Sequence, residues 1–456
     1  MSNKTLIRLA ICHNKYILIL FLSFCETLTT SGRIVILGSG WAGFKLMREL
    51  NKEDYNVSVV SPRNYFVFTP LLASTSVGTL EFRCITEPVR GYSKDIDFMQ
   101  ARCDRIDIGT KFTLDYDKLV IGVGSYSNTF GIPGVKEYGH FLKDVNDARR
   151  IRKRVIECFE YASQSGLTSK QKEDRLHFVV VGGGPTGIEF SAELYDFIAS
   201  DMSRLYPDLM SKTRMTLYDV APHILGSFDT NLSDYAHKKF NRKGIQIKTQ
   251  RHVEKVESDH LVIRDEGNVP YGLLVWSTGL MQNPLVKSLE NVVMDTKKQR
   301  FELDLISTGL LIILFRILTD SKLRVIDETT QQPYPNVYAL GDCATIKDND
   351  LPATAQVATQ KAIYLSKVFN KMVVHGSDME ANCFEFKNRG MMAYIGSSEA
   401  LVDMSSVHQL AKKSGHLPWL LWRSAYFSMS MSLRNRMLIP YHWFLTWCFG
   451  RDISRF

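Results

Sequence analysis

Residues 177–193 read HFVVVGGGPTGIEFSAE. Phe178 to Val181 is a short β-branched and aromatic run, the pattern of a buried strand. Gly182, Gly184 and Gly187 follow at G-x-G-x-x-G spacing, and Ile188 to Leu194 has helical character. Strand, glycine turn and helix, in that order, is the context in which this spacing signals a dinucleotide. The first glycine makes the tight turn, the second lets backbone approach a pyrophosphate, and the third lets helix and strand pack closely. The helix N-terminus then faces the phosphates. Further on, Met215 to Tyr218 predicts a second strand, which ends at Asp219. A carboxylate there accepts ribose hydroxyls and repels a 2′-phosphate, so the loop reads as a site for NADH rather than NADPH.

A lone glycine fingerprint is weak evidence, because glycine turns are common punctuation. This chain carries a second one. Arg33 to Leu37 predicts an apolar strand, Gly38, Gly40 and Gly43 repeat the spacing, and Lys45 to Leu50 can begin a helix. The strand that follows, Val57 to Val60, ends at Ser61 rather than at an acid, and a hydroxyl there bonds a ribose with less reach. Val337 to Leu340 runs into Gly341-Asp342, the position at which two-dinucleotide flavoproteins contact the ribityl chain and pyrophosphate of FAD. Leu119 to Gly124 and Leu274 to Gly279 repeat as strand and glycine turn, one in each half. The expectation is an α/β chain with two Rossmann-like, glutathione-reductase-like dinucleotide-binding domains, one for FAD and one for NAD(P)H.

A chain of 456 residues accommodates two or three domains, and 45% hydrophobic with 23% charged residues is ordinary for a globular protein. The net charge of +8 suits an anionic partner, either nucleic acid or a membrane surface. No nucleic-acid motif is present, which favours the membrane. The eight cysteines include no C-x-x-C and no metal-ligand spacing. That argues against a dithiol–disulfide reductase and against a zinc site, and fits a reducing compartment. Cys343, beside Asp342, reads as a small packed residue.

In chain order, residues 1–32 are basic and poor in acids, and Tyr16 to Cys25 is an apolar run of signal-peptide length. Secretory signal and organelle transit segment both fit, and neither belongs to the fold. Residues 33–173 predict the first part of the FAD domain, 174–296 the NADH domain and 318–390 the returning part of the FAD domain. Residues 297–317 form an atypical insertion whose run Gly309 to Phe315 is strongly apolar yet too short to cross a membrane. Pro352 to Lys367 predicts a helix that puts Gln356 and Gln360 on one face. Glutamines so placed are usually solvated, but these follow closely on Gly341-Asp342. Residues 391–456 are dense in Trp, Tyr and Arg without a continuous apolar stretch of about 20 residues. They predict a helical segment lying on a membrane, against which stands a packed C-terminal helix or a homodimer interface.

Together these segments resemble the type II (alternative, rotenone-insensitive) NADH:quinone oxidoreductases of the fungal mitochondrial type. The resemblance rests on SPRNYFVFTPLL, GGGPTGIEF, ALGDCA, AQVATQ and the ending FGRDISRF, and it spans 33–296 and 316–456. It implies FAD bound non-covalently, NADH as hydride donor, ubiquinone from the membrane as acceptor, no proton pumping, and a peripheral place on the mitochondrial inner membrane. By motif match it implies that Gly38, Gly40, Gly43, Ser61, Gly341 and Asp342 hold FAD. Gly182, Gly184, Gly187, Asp219 and Gly279 hold NADH. Glu189 lies near nicotinamide and flavin, and Gln356, Gln360 and Tyr441 lie on the quinone side. The sequence departs from the family at Ser61, in 1–32 and in 301–315, which reads as translated intron or a packed insertion. No D-x-D-x-D-G calcium loop is visible.

Two other functions compete. A sulfide:quinone reductase needs a redox cysteine pair near the flavin, and no obvious pair presents itself. A flavin- and NADH-binding protein without turnover, acting as a redox sensor or partner-binding protein, is favoured if 301–315 blocks the cofactor cleft.

Overall fold

Ile34, Val35 and Ile36 are fully buried, as expected of a strand covered on both faces. They lie in β1 (Arg33–Leu37), which pairs in parallel with β2 (Asn56–Ser61) and β3 (Lys118–Ile121). The computed structural model describes residues 8–12, 32–107, 114, 116–289, 292–295, 316–375, 382–404, 412–430 and 432–453. The insertion at 301–315 and most of 1–31 lie outside them. The chain divides into two units, both discontinuous in sequence: Met1–Phe66, Glu87–Tyr126 and Leu280–Lys387 form one, and Val67–Thr86, Ser127–Gly279 and Asn388–Phe456 the other.

The first unit is built on the β1 sheet. It continues beyond β2 to Ile96–Gln100, and beyond β3 to Pro333–Ala339, Arg324–Ile326, Arg316–Thr319 and Met294–Asp295. Helix α1 (Trp41–Glu49) makes the crossover from β1 to β2 and packs on the helix Ala355–His375. Tyr55 donates its hydroxyl proton to the Phe369 carbonyl at 2.7 Å, tying the end of that crossover to the later helix. One expectation fails here. Residues 1–32 were placed outside the fold, yet Arg8–Cys12 forms a strand antiparallel to Arg102–Asp107. An edge strand offers unpaired backbone groups to any extended segment, whatever its side chains.

The second unit repeats the plan. β4 (His177–Val181) pairs in parallel with β5 (Arg214–Tyr218) and β6 (Leu273–Trp276), as β1 does with β2 and β3. Helix α2 (Pro185–Phe197) follows β4, with Pro185 in its first turn, where a missing N–H costs nothing. The C-terminal part begins as an antiparallel meander of β7 (Met391–Gly396), β8 (Glu399–Asp403) and β9 (Lys412–Gly415). Two helices follow, α3 (His416–Met429) and α4 (Leu433–Phe449). The C-terminal helical segment expected within 391–456 is present as α3 and α4, preceded by the meander. The β7–β8 turn places Ser397 and Ser398 at φ 53° and 57°. Sequences usually give such a turn to Asn-Gly, so the hairpin signal was missing.

The two glycine loops are superimposable in logic. Gly38 and Gly182 sit at φ 101° and 115°, where a side chain is strained. Gly38 donates to Val60 O and Gly182 to Tyr218 O, each at 2.8 Å, the same bond in both halves. A Cβ on Gly43 would overlap the Gly38 carbonyl, and one on Gly187 the Gly182 carbonyl, whereas Gly40 and Gly184 have nothing within 4 Å of that position. Gly43→Ala and Gly187→Ala should each cost about 1–3 kcal/mol by forcing helix from strand. Gly40→Ala should leave the unfolding temperature unchanged and weaken only cofactor retention. Thermal unfolding that ranks the three variants equally would refute this division.

Candidate functional site

Each glycine loop opens a helix whose first N–H groups no capping side chain satisfies: Gly40 caps α1 and Gly184 caps α2 without side-chain bonds. Open backbone donors at the positive end of a helix dipole, with free space above the second glycine, are what a pyrophosphate needs. The residues therefore fit two dinucleotides, one per unit.

The strand-end residues differ between the loops. The Asp219 carboxylate accepts from the Gly183 N–H through Oδ2 and from the Ala221 N–H through Oδ1, the latter at 2.7 Å. It braces the glycine turn and leaves further lone pairs for hydroxyls. Ser61 is buried, with its Oγ 2.8 Å from Ser39 Oγ and accepting from the Arg63 N–H at 3.3 Å. It holds the first loop from beneath through Ser39. Asp342 accepts from Ser125 Oγ at 3.2 Å, beside Gly341 at φ 85°. Gly279 is at φ 72°, and a Cβ there would overlap the Phe130 ring. Burial pushes the Cys343 thiol up to about 11, so it is a packed, protonated group.

Glu189 lies on α2, one turn beyond its glycine loop. Its Oε1 accepts from the Tyr394 backbone N–H at 3.1 Å and from the Trp422 indole N–H at 3.3 Å. Among the described residues, Oε2 has no hydrogen-bond partner. The side chain keeps a little accessible surface but is ringed by protein, and desolvation pushes its carboxyl up to about 8. The next turn carries buried Glu193, accepting from Ser74 Oγ at 2.6 Å and Thr79 Oγ1 at 2.8 Å, with Arg451 at 3.8 Å. Asp196 follows, accepting from the Tyr394 hydroxyl at 2.6 Å and the Ser397 N–H at 2.9 Å.

Four of these partners, Tyr394, Ser397, Trp422 and Arg451, lie in the C-terminal stretch whose rings and arginines were expected at a membrane. Trp422 is instead 4% exposed and packs on Tyr394 and Tyr426. Arg451 bonds Asp201, Ser200 and Thr79 at 2.7–2.9 Å. Arg423 lies over the rings of Trp419 at 4.2 Å and Trp443 at 4.3 Å, clamping α3 to α4. The helical register could have shown this. Trp422 and Tyr426 are four apart, on the side of α3 away from Leu417, Leu420 and Leu421.

Gln356 and Gln360 lie in the first turns of the Ala355–His375 helix. The Gln360 amide is spent on one residue: it donates to Lys387 O at 2.8 Å and accepts from Lys387 N–H at 3.0 Å. Next to it, Lys361 is 1% exposed, and desolvation lowers its ammonium to about 8. Nothing in the pattern had singled it out. Tyr441 lies on α4, 55% exposed.

Two family profiles cover the chain, pyridine nucleotide-disulphide oxidoreductase over residues 32–304 and NDH2 C-terminal domain over 388–452. A probable NADH dehydrogenase of Dictyostelium discoideum is 40% identical over 441 residues, 93% of this chain and 91% of that protein. The chain belongs to the type II NADH dehydrogenases. The mitochondrial internal alternative NAD(P)H-ubiquinone oxidoreductase A1 of Solanum tuberosum is 38% identical, with 93% of this chain and 88% of that protein covered. Among solved structures, NDH2 of Plasmodium falciparum in complex with NADH superimposes with a TM-score of 0.82 at 27% identity, covering 93% of this chain and 100% of that one. The sulfide:quinone oxidoreductase of Aquifex aeolicus shares the fold, with a TM-score of 0.63 at 16% identity.

For a type II NADH dehydrogenase with this α2, stability depends on pH with a definite sign. The folded pKa of Glu189 lies above its ordinary 4.5, so the unfolded chain releases that proton first as pH rises. Stability should therefore fall between pH 4.5 and about 8. Buried Glu193, also raised by desolvation, acts in the same direction. Glu189→Gln should flatten the fall. Unfolding temperatures that track pH identically in wild type and variant would show that Glu189 titrates normally.

Proposed function

We propose that this chain carries out non-proton-pumping oxidation of NADH by ubiquinone at the surface of the mitochondrial inner membrane. The observation that carries the reading is the pair of matched glycine cradles, with the largely desolvated Glu189 one turn above the second. FAD, when bound, supplies the redox chemistry, taking hydride from NADH and passing two electrons to quinone. The protein supplies binding, orientation and charge.

In this reading the Gly38, Gly40 and Gly43 loop holds the FAD pyrophosphate, Ser61 stiffens that loop through Ser39, and Gly341-Asp342 hold the ribityl side. Gly182, Gly184 and Gly187 hold NADH, Asp219 receives its adenosine ribose, and Gly279 lets the chain turn closely at the end of β6. Glu189 holds a proton near the reacting rings. Gln356 faces quinone, and Gln360 supports it by fixing the backbone at Lys387. The first unit is the FAD domain and the second carries NADH.

Membrane attachment follows from α4. Leu433, Met437, Tyr441, Phe444 and Trp447 are 55–83% exposed and fall on one helix face. Arg434 and Arg436 are exposed on the same helix, suited to anionic headgroups. No helix among the described residues is long and apolar enough to cross a membrane. An interfacial helix needs neither a span nor a partner. Tyr441 belongs to this lipid-facing row.

Three measurements test the reading. Wild type should prefer NADH to NADPH in kcat/KM, and Asp219→Ser should narrow the ratio; equal values in wild type would remove the Asp219 assignment. Gln356→Leu should slow flavin reoxidation by quinone in stopped flow while leaving reduction by NADH intact, and the reverse pattern would refute its role. Met437→Ser with Trp447→Ser should weaken liposome flotation roughly tenfold or more, since each such side chain removed from water is worth about 1.5–3 kcal/mol. Unchanged flotation, or loss of a dimer in sedimentation, would assign the row to another surface.

A further inference from the structure

Two donors converge on one oxygen of Glu189. The Tyr394 N–H and the Trp422 indole N–H both point at Oε1, at 3.1 and 3.3 Å. Oε2 has no hydrogen-bond partner among the described residues. An oxygen that already accepts two N–H bonds is a poor place for a proton, because a protonated oxygen would oppose the donors. When Glu189 is neutral, its proton therefore belongs on Oε2. We propose that Trp422 is a positioning residue that fixes the Glu189 carboxyl through Oε1 and so presents Oε2 as the proton-bearing, reactive oxygen.

The placement is rigid for identifiable reasons. Trp422 is buried between Tyr394, whose ring centre lies 5.5 Å away, and Tyr426 at 4.9 Å. Tyr394 is itself pinned, because its hydroxyl donates to Asp196 at 2.6 Å, two turns along α2 from Glu189. The backbone donor from β7 cannot be lost by substitution, whereas the indole donor rides on α3. The opposite face of α3 exposes Leu417, Leu420 and Leu421. Helix α3, which Arg423 clamps to the helix proposed to meet the membrane, thus sets the geometry of the acid. The titratable and charged groups around Glu189 are Glu193 on α2, Tyr394 on β7 and Tyr426 on α3, while Arg423 on α3 acts on Glu193 and Tyr394. Arg451 faces Glu193. None of them donates to Oε2.

The proposal rests on the role given to Glu189 above, and the test separates the two. In FAD-loaded protein, the C=O stretch of protonated Glu189 is followed by pH-difference infrared spectroscopy and assigned by its loss in Glu189→Gln. Trp422→Phe removes a donor that favours the charged carboxylate, so the midpoint should move up by about one pH unit, tenfold in the proton equilibrium. Trp422→His, which retains a ring N–H, should move it part of the way back. In the Glu189→Gln background, Trp422→Phe should leave the pH profile of flavin reduction unchanged, since the indole acts only through the carboxylate. Where Trp422→Phe fails to retain FAD, the wild-type indole reports instead. Its ultraviolet resonance Raman N–H bands should shift with the same midpoint as the carboxyl band, and Glu189→Gln should abolish that shift. A midpoint unmoved by Trp422→Phe, or indole bands indifferent to pH, overturns the proposal. Normal flavin reduction in Glu189→Gln would instead remove the catalytic role of Glu189 and leave the indole contact to the infrared and Raman results.

Discussion

Carboxylates placed on a buried helix face must find donors, because an unpaired buried charge costs several kcal/mol. Helix α2 carries Glu189, Glu193 and Asp196 at spacings of four and three, so they stack along one side. Most of their partners come from residues distant in sequence: Ser74 and Thr79 from one side, Tyr394, Ser397, Trp422 and Arg451 from the C-terminal end. The ladder explains why the last sixty residues are part of the second unit rather than an appendage. It also explains why the chain can expose a row of large apolar side chains on α4 without losing its grip on that helix. Part of that grip sits at the far end, where Gly450 leads into Arg451 and its bonds to Asp201, and buried Ile439 with the bonds of Asn435 to Thr86 and Thr446 to Thr79 supplies the rest.

The same helix begins at the glycine loop, so two demands meet on α2. Its N-terminus must stay open to phosphate, which forbids a capping side chain and requires Gly187 to touch the Gly182 carbonyl. In the proposed reading its middle carries an acid whose carboxyl is pushed up to about 8. Burial accomplishes the second, and the strand–glycine–helix geometry accomplishes the first. Because both are properties of one rigid element, the distance between phosphate site and Glu189 is set by helical rise, about 1.5 Å per residue, rather than by loop conformation.

The two Rossmann-like modules were legible because their signals are local. An apolar strand, three glycines and a strand-end residue all fall within a few dozen positions, and the parallel pairing of β1 with β2 and β3, and of β4 with β5 and β6, follows from them. What was not legible depends on contacts far apart in the chain. Trp422 looked like its neighbours Trp419 and Trp443, and composition alone assigned all three to a lipid surface. The spacing of Trp422 and Tyr426 marks one side of α3, but the sheet of β7, β8 and β9 on which the helix packs has no local signal. That sheet was hidden because its first turn is built from Ser397 and Ser398 in left-handed conformations. Gln360 was unreadable for a related reason. Its amide satisfies both backbone groups of Lys387, 27 residues on, and no local pattern announces such a clamp.

The clamp matters for how the quinone side is to be understood. An amide that both donates to and accepts from one backbone residue is held in one orientation, with one N–H and one lone pair left over. Gln356, one turn earlier, stands nearer the start of the Ala355–His375 helix. The helix dipole there favours electron-rich oxygen, and quinone carbonyls become more so on reduction. In the proposed reading the two glutamines, on one helical face, divide the work: Gln360 fixes the backbone at Lys387, and Gln356 sits where the helix N-terminus favours quinone oxygen.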